Sequence, residues 1–251
     1  MGALHAGHAR LLESARFENE VVVASVFVNP IQFGPHEDFG RYPRDWDHDL
    51  MLLGHAEVDA VYRPSAEEMY PPNASTRVHV GGVTEALEGL ARPGHFDGVA
   101  TVVTKLFAAV APDRAYFGQK DAQQVAVVKR LVRDLDLGVE IRVVPTVREQ
   151  DGLALSSRNV YLSEDERRAA AGISAALREA ADAYATGERD PIRLRARLAA
   201  RLALEPLVKL EYAELVDPAT FQKPGTLAVM AARVGKTRLI DNHDLAEPFP
   251  G

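Results

Sequence analysis

Cysteine is absent from all 251 residues. Disulfides, thiolate metal centres and cysteine nucleophiles are therefore excluded, and the composition suits a reducing, cytoplasmic setting. No apolar run approaches the ~18 residues that cross a bilayer, so no membrane partner is expected. No secretory leader is expected either, because the chain opens directly on glycine and histidine. Positive charge is in deficit: 29 Lys and Arg stand against 36 Asp and Glu, a formal net charge of -7. No basic block is visible, which argues against a nucleic-acid partner. A few placed cations and backbone N–H groups still suffice for a nucleotide. The chain also lacks a Walker A loop, a dinucleotide glycine fingerprint, a serine nucleophile elbow and a zinc-protease motif.

What is present begins at the first residue. Met1-Gly2-Ala3-Leu4-His5-Ala6-Gly7-His8 leads straight into a helical pattern with Leu11, Leu12, Ala15 and Phe17 at apolar positions. A helix starting near His5 puts His5 and His8 on one face. They would lie at its N-terminus, where unpaired N–H groups and the dipole favour a phosphate. Gly7 allows close approach to the backbone, and two imidazoles can donate to a phosphoryl group gaining charge. Alone, these letters fit a helix start with two exposed histidines equally well.

Strands and helices then alternate. Strands are predicted over 20–28, 58–62, 114–117 and 139–144, with a weaker one over 76–80. Helices are predicted from Asp45 to about Ala56, from Val99 to Val110 and from Asp121 to Leu135. Residues 90–98 read as a loop rich in breakers. The alternation argues for βαβ units and a mostly parallel sheet with right-handed crossovers. Loops after its strands (29–34, 118–121 and 145–148) are then candidate binding loops. The motif at the start should itself follow a strand, so a strand is expected before Met1. From about Val147 the character changes. Ser163 with Glu166 forms a capping box, two Ala- and Arg-rich helices follow, and strands are predicted over 209–216, 226–233 and 237–241. That order suggests a small α+β domain.

Three further clusters carry possible chemistry. Gly118-Gln119-Lys120-Asp121 sits at a strand-to-helix turn, with Gln124 one turn beyond Lys120. The lysine suits a phosphate, although a helix-start lysine paired with Asp121 would look the same. Ser156-Ser157-Arg158-Asn159 is a dense donor set for an anion, or else a solvated turn. Asn29 and Gln32 are uncharged amides that suit hydroxyls and a carboxylate, or simply cap a turn. His95, between Arg92 and Phe96, stands out from the scattered histidines. Asp47 and Asp49 read as a solvated helix face, with a magnesium-bound water as the alternative.

Together these pieces have a family order. His5-Ala6-Gly7-His8 resembles the HIGH-type signature of the nucleotidylyltransferase superfamily. More narrowly, the chain resembles the pantothenate synthetase (pantoate–β-alanine ligase) family. The matching strings are Met1 to His8, Phe27-Val28-Asn29-Pro30-x-Gln32-Phe33, Tyr42-Pro43-Arg44 and Arg92-Pro93-x-His95-Phe96. They continue with Phe117-Gly118-x-Lys120-Asp121-x-Gln123-Gln124, Val144 to Glu149, Gly152 to Asn159 and Arg238 to Asn242. Leu155 stands where the family usually has Met, a near volume-conserving change.

The resemblance implies an α/β chain. Residues 1–146 would form a Rossmann-like nucleotide- and pantoate-binding domain with helices on both faces of the sheet, and 147–251 a smaller α+β domain. It implies ATP-dependent condensation of (R)-pantoate with β-alanine through a pantoyl adenylate, with Mg2+ arriving on ATP and a homodimeric assembly. By the same resemblance, Met1, Gly2, Ala3, Leu4, His5, Ala6, Gly7 and His8 line the nucleotide site, with Gly118, Gln119, Lys120, Asp121, Val147, Leu155, Ser156, Ser157 and Arg158. His5, His8, Lys120, Ser156, Ser157 and Arg158 would act on the phosphates, and Gln32 and Gln124 would bind pantoate, Gln32 also lying near β-alanine. No protein side chain is implied as a metal ligand. Two other readings carry a discriminating test: another HIGH-type transferase, by a screen of acids and nucleotides, and a non-catalytic nucleotide-binding module, by calorimetry with ATP.

Overall fold

Helix α1 spans Ala6–Glu18 and is capped by His5; it is the first element of a computed structural model that describes residues 2–250. Strand β1 (Val23–Ser25) pairs in parallel with β2 (Ala60–Tyr62). The intervening α2 (Trp46–His55) begins where Asp45 accepts the His48 N–H, a cap read directly from the sequence. Strand β1 is shorter than the nine-residue apolar stretch suggested, because its partner β2 offers only three residues.

The region after β2 departs from expectation twice. Short helical turns α3 (Ala66–Met69) and α4 (Glu88–Ala91) flank a segment predicted to hold a strand at 76–80. That segment is irregular: the Val78 N–H donates to Thr101 Oγ1 rather than to a neighbouring strand. Helix α5 spans His95–Val110 and so begins four residues before the predicted start. Gly94, at φ 80°, turns the chain into it, and His95 and Phe96 are buried in its first turn. The glycines that read as breakers are a cap and a packing point.

Strand β3 (Arg114–Gly118) pairs in parallel with β4 (Glu140–Val144), joined through α6 (Ala122–Asp134). Segments 119–121 and 145–148 therefore both leave the C-terminal ends of a parallel pair, the usual ligand edge of such sheets. Among the described residues the parallel strands form two separate pairs, β1–β2 and β3–β4.

The chain divides into two compact units. The first contains residues up to Gly118 together with Gln123–Val144; the second contains Gln119–Ala122 and everything from Pro145. In the first, Leu4, Ala24, Val26 and Leu53 form a buried cluster, with Leu12 and Trp46 packed on it. The end of α1 is tied to β3, because Arg114 donates to Glu18 O and Asn19 Oδ1, and Asn19 Nδ2 donates to Tyr116 Oη. In the second, α7 (Glu164–Ala185) and α8 (Pro191–Leu202) cover an antiparallel sheet of β5 (Val208–Val216), β6 (Leu227–Val234) and β7 (Thr237–Asp244) in that order. Ala170, Ile173, Leu177, Leu194, Leu198, Ala228 and Met230 make its core. The Ser163–Glu166 capping box is present.

Candidate active site

The opening motif is a helix cap built from its own histidines. His5 Nδ1 accepts the Gly7 N–H at 3.1 Å, and His8 Nδ1 accepts the His5 N–H at 3.2 Å. The two rings lie 4.1 Å apart, tilted by 44°. A ring nitrogen that accepts carries no proton, so each neutral imidazole holds its proton on Nε2. The cap thus fixes both tautomers and both ring orientations. The preceding backbone is also fixed. Ala3 adopts φ 53°, and the Asp49 carboxylate accepts both the Ala3 N–H (3.0 Å) and the Leu4 N–H (2.5 Å). Asp49 is only 1% exposed, which corrects its reading as a solvated helix face. One turn on, Leu53 of the same helix packs against Leu4. Gly2 is buried beside Pro43 O and Asp49. Met1 lies outside the described residues.

Gln32 is positioned by a second network in the same unit. It ends the short 3-10 turn Pro30–Gln32, which lies directly on α5 at Gly98. A Cβ on Gly98 would come within 2.7 Å of Gln32 Cα and N, so only glycine permits this approach. His95 Nδ1–H donates to Gln32 O at 2.9 Å, and Arg92 donates to His95 Nε2 at 3.1 Å. Arg92 also makes a two-pronged pair with Glu37 at 2.8 and 2.6 Å. Burial, reinforced by Arg92, pushes His95 down to about 4, so it stays neutral and structural near neutral pH. The side chain of Gln32 is oriented too. Its Oε1 accepts from Asn29 Nδ2 at 3.1 Å, while Asn29 Oδ1 accepts the Tyr70 hydroxyl at 2.8 Å. Burial pushes the Tyr70 phenol up to about 12, which keeps it a donor. The polarity of this chain leaves Gln32 presenting N–H groups, which suits an oxygen acceptor on a ligand. Gln124 is half-buried on α6, next to Gln123, whose amide donates to Val83 O and Ala86 O.

The second unit holds the other predicted residues. Gln119, Lys120 and Asp121 form a 3-10 turn, and Lys120 Nζ stands 3.7 Å from Asp121 Oδ1, a loose pair. Residues 147–155 form a small hairpin: Arg148 bridges Ala154, and the Leu155 N–H donates to Val147 O at 2.9 Å. Ser156 Oγ accepts the Arg158 N–H at 3.2 Å and caps a 3-10 turn, Ser157–Tyr161. Asn159 Nδ2 holds that turn to Glu149 Oε1 and Ala154 O. The structure therefore brings Gly2 to His8, Gln32, Gly118 and Gln124 into the first unit. It brings Gln119 to Asp121, Val147 and Leu155 to Arg158 into the second. Among the described residues no group of three or more His, Asp or Glu side chains is arranged to hold a metal ion.

The family model described as pantoate-beta-alanine ligase matches residues 1–244. The chain belongs to the pantoate–β-alanine ligase family. It is 56% identical over 248 residues to a pantothenate synthetase of Chloroflexus aurantiacus, covering 96% of this chain and 88% of that protein. A pantothenate synthetase of Herpetosiphon aurantiacus is 53% identical over 248 residues, covering 96% of this chain and 90% of its own. Among solved structures, pantothenate synthetase from Thermus thermophilus superposes with a TM-score of 0.94 at 49% identity, over 98% of this chain and 91% of that one. A pantoate–β-alanine ligase from Francisella tularensis, complexed with beta-gamma ATP and β-alanine, superposes with a TM-score of 0.82 at 35% identity, over 100% and 89%.

The sequence marked neither the anchoring role of Asp49 nor that of Tyr70. Each acts on a partner far away in the chain, so no local spacing marks it. A carboxylate at Asp49 in a helix that also buries Leu53 was the one available signal.

Proposed function

We propose that the chain joins (R)-pantoate to β-alanine in two steps at the expense of ATP. A pantoate carboxylate oxygen attacks the α-phosphorus, the bond to the β-phosphate oxygen breaks, and pyrophosphate leaves pantoyl adenylate behind. The neutral amine of β-alanine then attacks the acyl carbon, AMP leaves with the bridging oxygen, and the amine proton is released. The observation that carries the reading is the cap at the start of α1, where two imidazoles are fixed as Nε2–H donors beside a helix N-terminus.

In this reading His5 and His8 donate to phosphate oxygens as charge grows on them, and preorganised donors act mainly on that step. Lys120, Ser156, Ser157 and Arg158 grip the triphosphate, and Mg2+ belongs to the nucleotide as it arrives. Gly2 to Gly7, Gly118 to Asp121, Val147 and Leu155 line the nucleotide, as Met1 would. Gln32, with its Oε1 committed to Asn29, offers N–H to a pantoate oxygen, and Gln124 offers a second amide. A cytoplasmic homodimer, with domains at 1–146 and 147–251, completes the proposal. The test is isotope exchange. Labelled pyrophosphate should enter ATP when pantoate alone is added, and AMP should accumulate only once β-alanine is present. Exchange with neither substrate dependence would refute it.

A further inference from the structure

We propose that Asp241 and Asn242, adjacent on β7, are positioning residues that hold both nucleotide loops of the second unit in one register. The inference rests on the reading of Lys120 and Ser156 to Arg158 as nucleotide residues, and nothing in that reading assigns the pair a role. Asn242 Nδ2 donates to the carbonyls of Gln119 (3.0 Å) and Lys120 (2.8 Å), and its Oδ1 accepts from Gln119 Nε2 at 3.2 Å. The Asp241 carboxylate accepts twice from Arg148, at 2.6 and 3.0 Å. Arg148 donates in turn to Gly152 O and to Asn242 O, which locks the hairpin that leads into Ser156. Asp241 and Asn242 are 3% and 4% exposed.

Peptide geometry gives this clamp a consequence for a ligand. The carbonyls of Gln119 and Lys120 share planes with the N–H groups of Lys120 and Asp121. In a trans peptide the two point in opposite directions. Pulling both carbonyls onto Asn242 therefore turns both N–H groups away from the Asn242 side chain, in the turn that carries Lys120. That is the donor arrangement an anion requires. The turn 119–121 lies in sequence between β3 and α6, yet with Ala122 it groups with the second unit, as expected of a segment fastened to β7. A dipeptide in one strand thus sets two loops that are remote from each other in the chain.

The test compares Asn242→Ala, Lys120→Ala and the double variant by the KM for ATP and for pantoate in pyrophosphate exchange. Asn242→Ala removes three hydrogen bonds, two of which orient the carbonyls of Gln119 and Lys120; loss of those two predicts a rise in the ATP KM of ~10-fold. The pantoate KM should move by less than about twofold. Because the oriented N–H groups of residues 120 and 121 remain when the Lys120 side chain is removed, the double variant should raise the ATP KM above that of Lys120→Ala alone. A double variant no worse than Lys120→Ala alone, or a loss of activity in step with the melting temperature without a selective rise in the ATP KM, would mean Asn242 does not orient these N–H groups and would overturn the proposal. If Lys120→Ala raises the ATP KM and Asn242→Ala does not, the inference alone falls. If Lys120→Ala itself changes nothing, the nucleotide reading falls and takes the inference with it. Should Asn242→Ala fail to fold, Gln119→Ala removes only the bond to Asn242 Oδ1 and carries the same test, with a smaller rise expected in the same KM.

Discussion

The opening motif and the Lys120 turn are both short polar strings at the start of a helix, yet they are fastened in opposite ways. His5 and His8 are held mainly by bonds two and three residues long. The Lys120 turn is held by Asn242, more than 120 residues later in the chain. The first is a site whose geometry is largely its own product. The second is a loop whose geometry is imposed by a strand of the antiparallel sheet. A functional string can thus be recognised locally while the residues that give it shape lie far off in sequence.

The contrast is sharpest at His8. Its imidazole does two jobs, capping α1 and offering Nε2–H. His8→Ala should lower the pantoate-dependent exchange rate by ~100- to 1000-fold, the usual loss for one preorganised donor. The lost cap costs only about 1 kcal/mol, which lowers the melting temperature by roughly 2–4 °C in a chain of this size. A melting loss large enough to explain the rate would break the distinction between site and scaffold.

His95 sharpens it from the scaffold side. Its folded value of about 4 lies below its ordinary value of 6.5, so between those values the unfolded chain binds more protons than the folded one. The stabilisation from keeping His95 neutral is complete above pH 6.5 and is lost as pH falls towards 4. The total amounts to about 3 kcal/mol. Arg92, Glu37 and Glu88 are the charged groups acting on it. Denaturant titrations from pH 7 to 4.5 should show this slope, and His95→Gln should flatten it. An equal slope in the variant would remove His95 as the cause.

Asp49 is a distant anchor of a motif held mainly by local bonds. Asp49→Asn replaces one accepting oxygen by a donor facing an N–H group, at a cost of about 2 kcal/mol. Urea unfolding should report that loss, accompanied by slower exchange, because the backbone before His5 is released. Full exchange activity with full stability would show that the motif needs no distant support.

The legible part of this molecule follows the same division. The helix start at His5, the Asp45 cap and the Ser163–Glu166 box are local, and each was readable from a few letters. So were β3, β4 and the three strands of the antiparallel sheet, although the apolar pattern follows burial in β5 and β6 and not in β7, where Thr237, Asp241 and Asn242 are buried. Asp49 looked like a surface acid because its partners are backbone N–H groups 45 and 46 positions earlier. Residues 76–80 had the alternation of a strand, but strand formation needs a partner, and Val78 has Thr101 instead. The start of α5 was hidden by Gly94 and Gly98: Gly94 turns the chain into the helix at a positive φ, and the close-packing role of Gly98 appears only once the Pro30–Gln32 turn lies on it. Arg238 to Asn242 was recognisable as a family string, yet its work of holding two loops is visible only in three dimensions.

Oxygen tracing tests the central claim most directly. (R)-Pantoate carrying 18O in its carboxylate is converted with ATP and β-alanine, and the AMP is weighed by mass spectrometry. Attack by the carboxylate on the α-phosphorus predicts one 18O per AMP and none in pyrophosphate. AMP free of label, or label in an inorganic phosphate formed alongside ADP, would contradict the account.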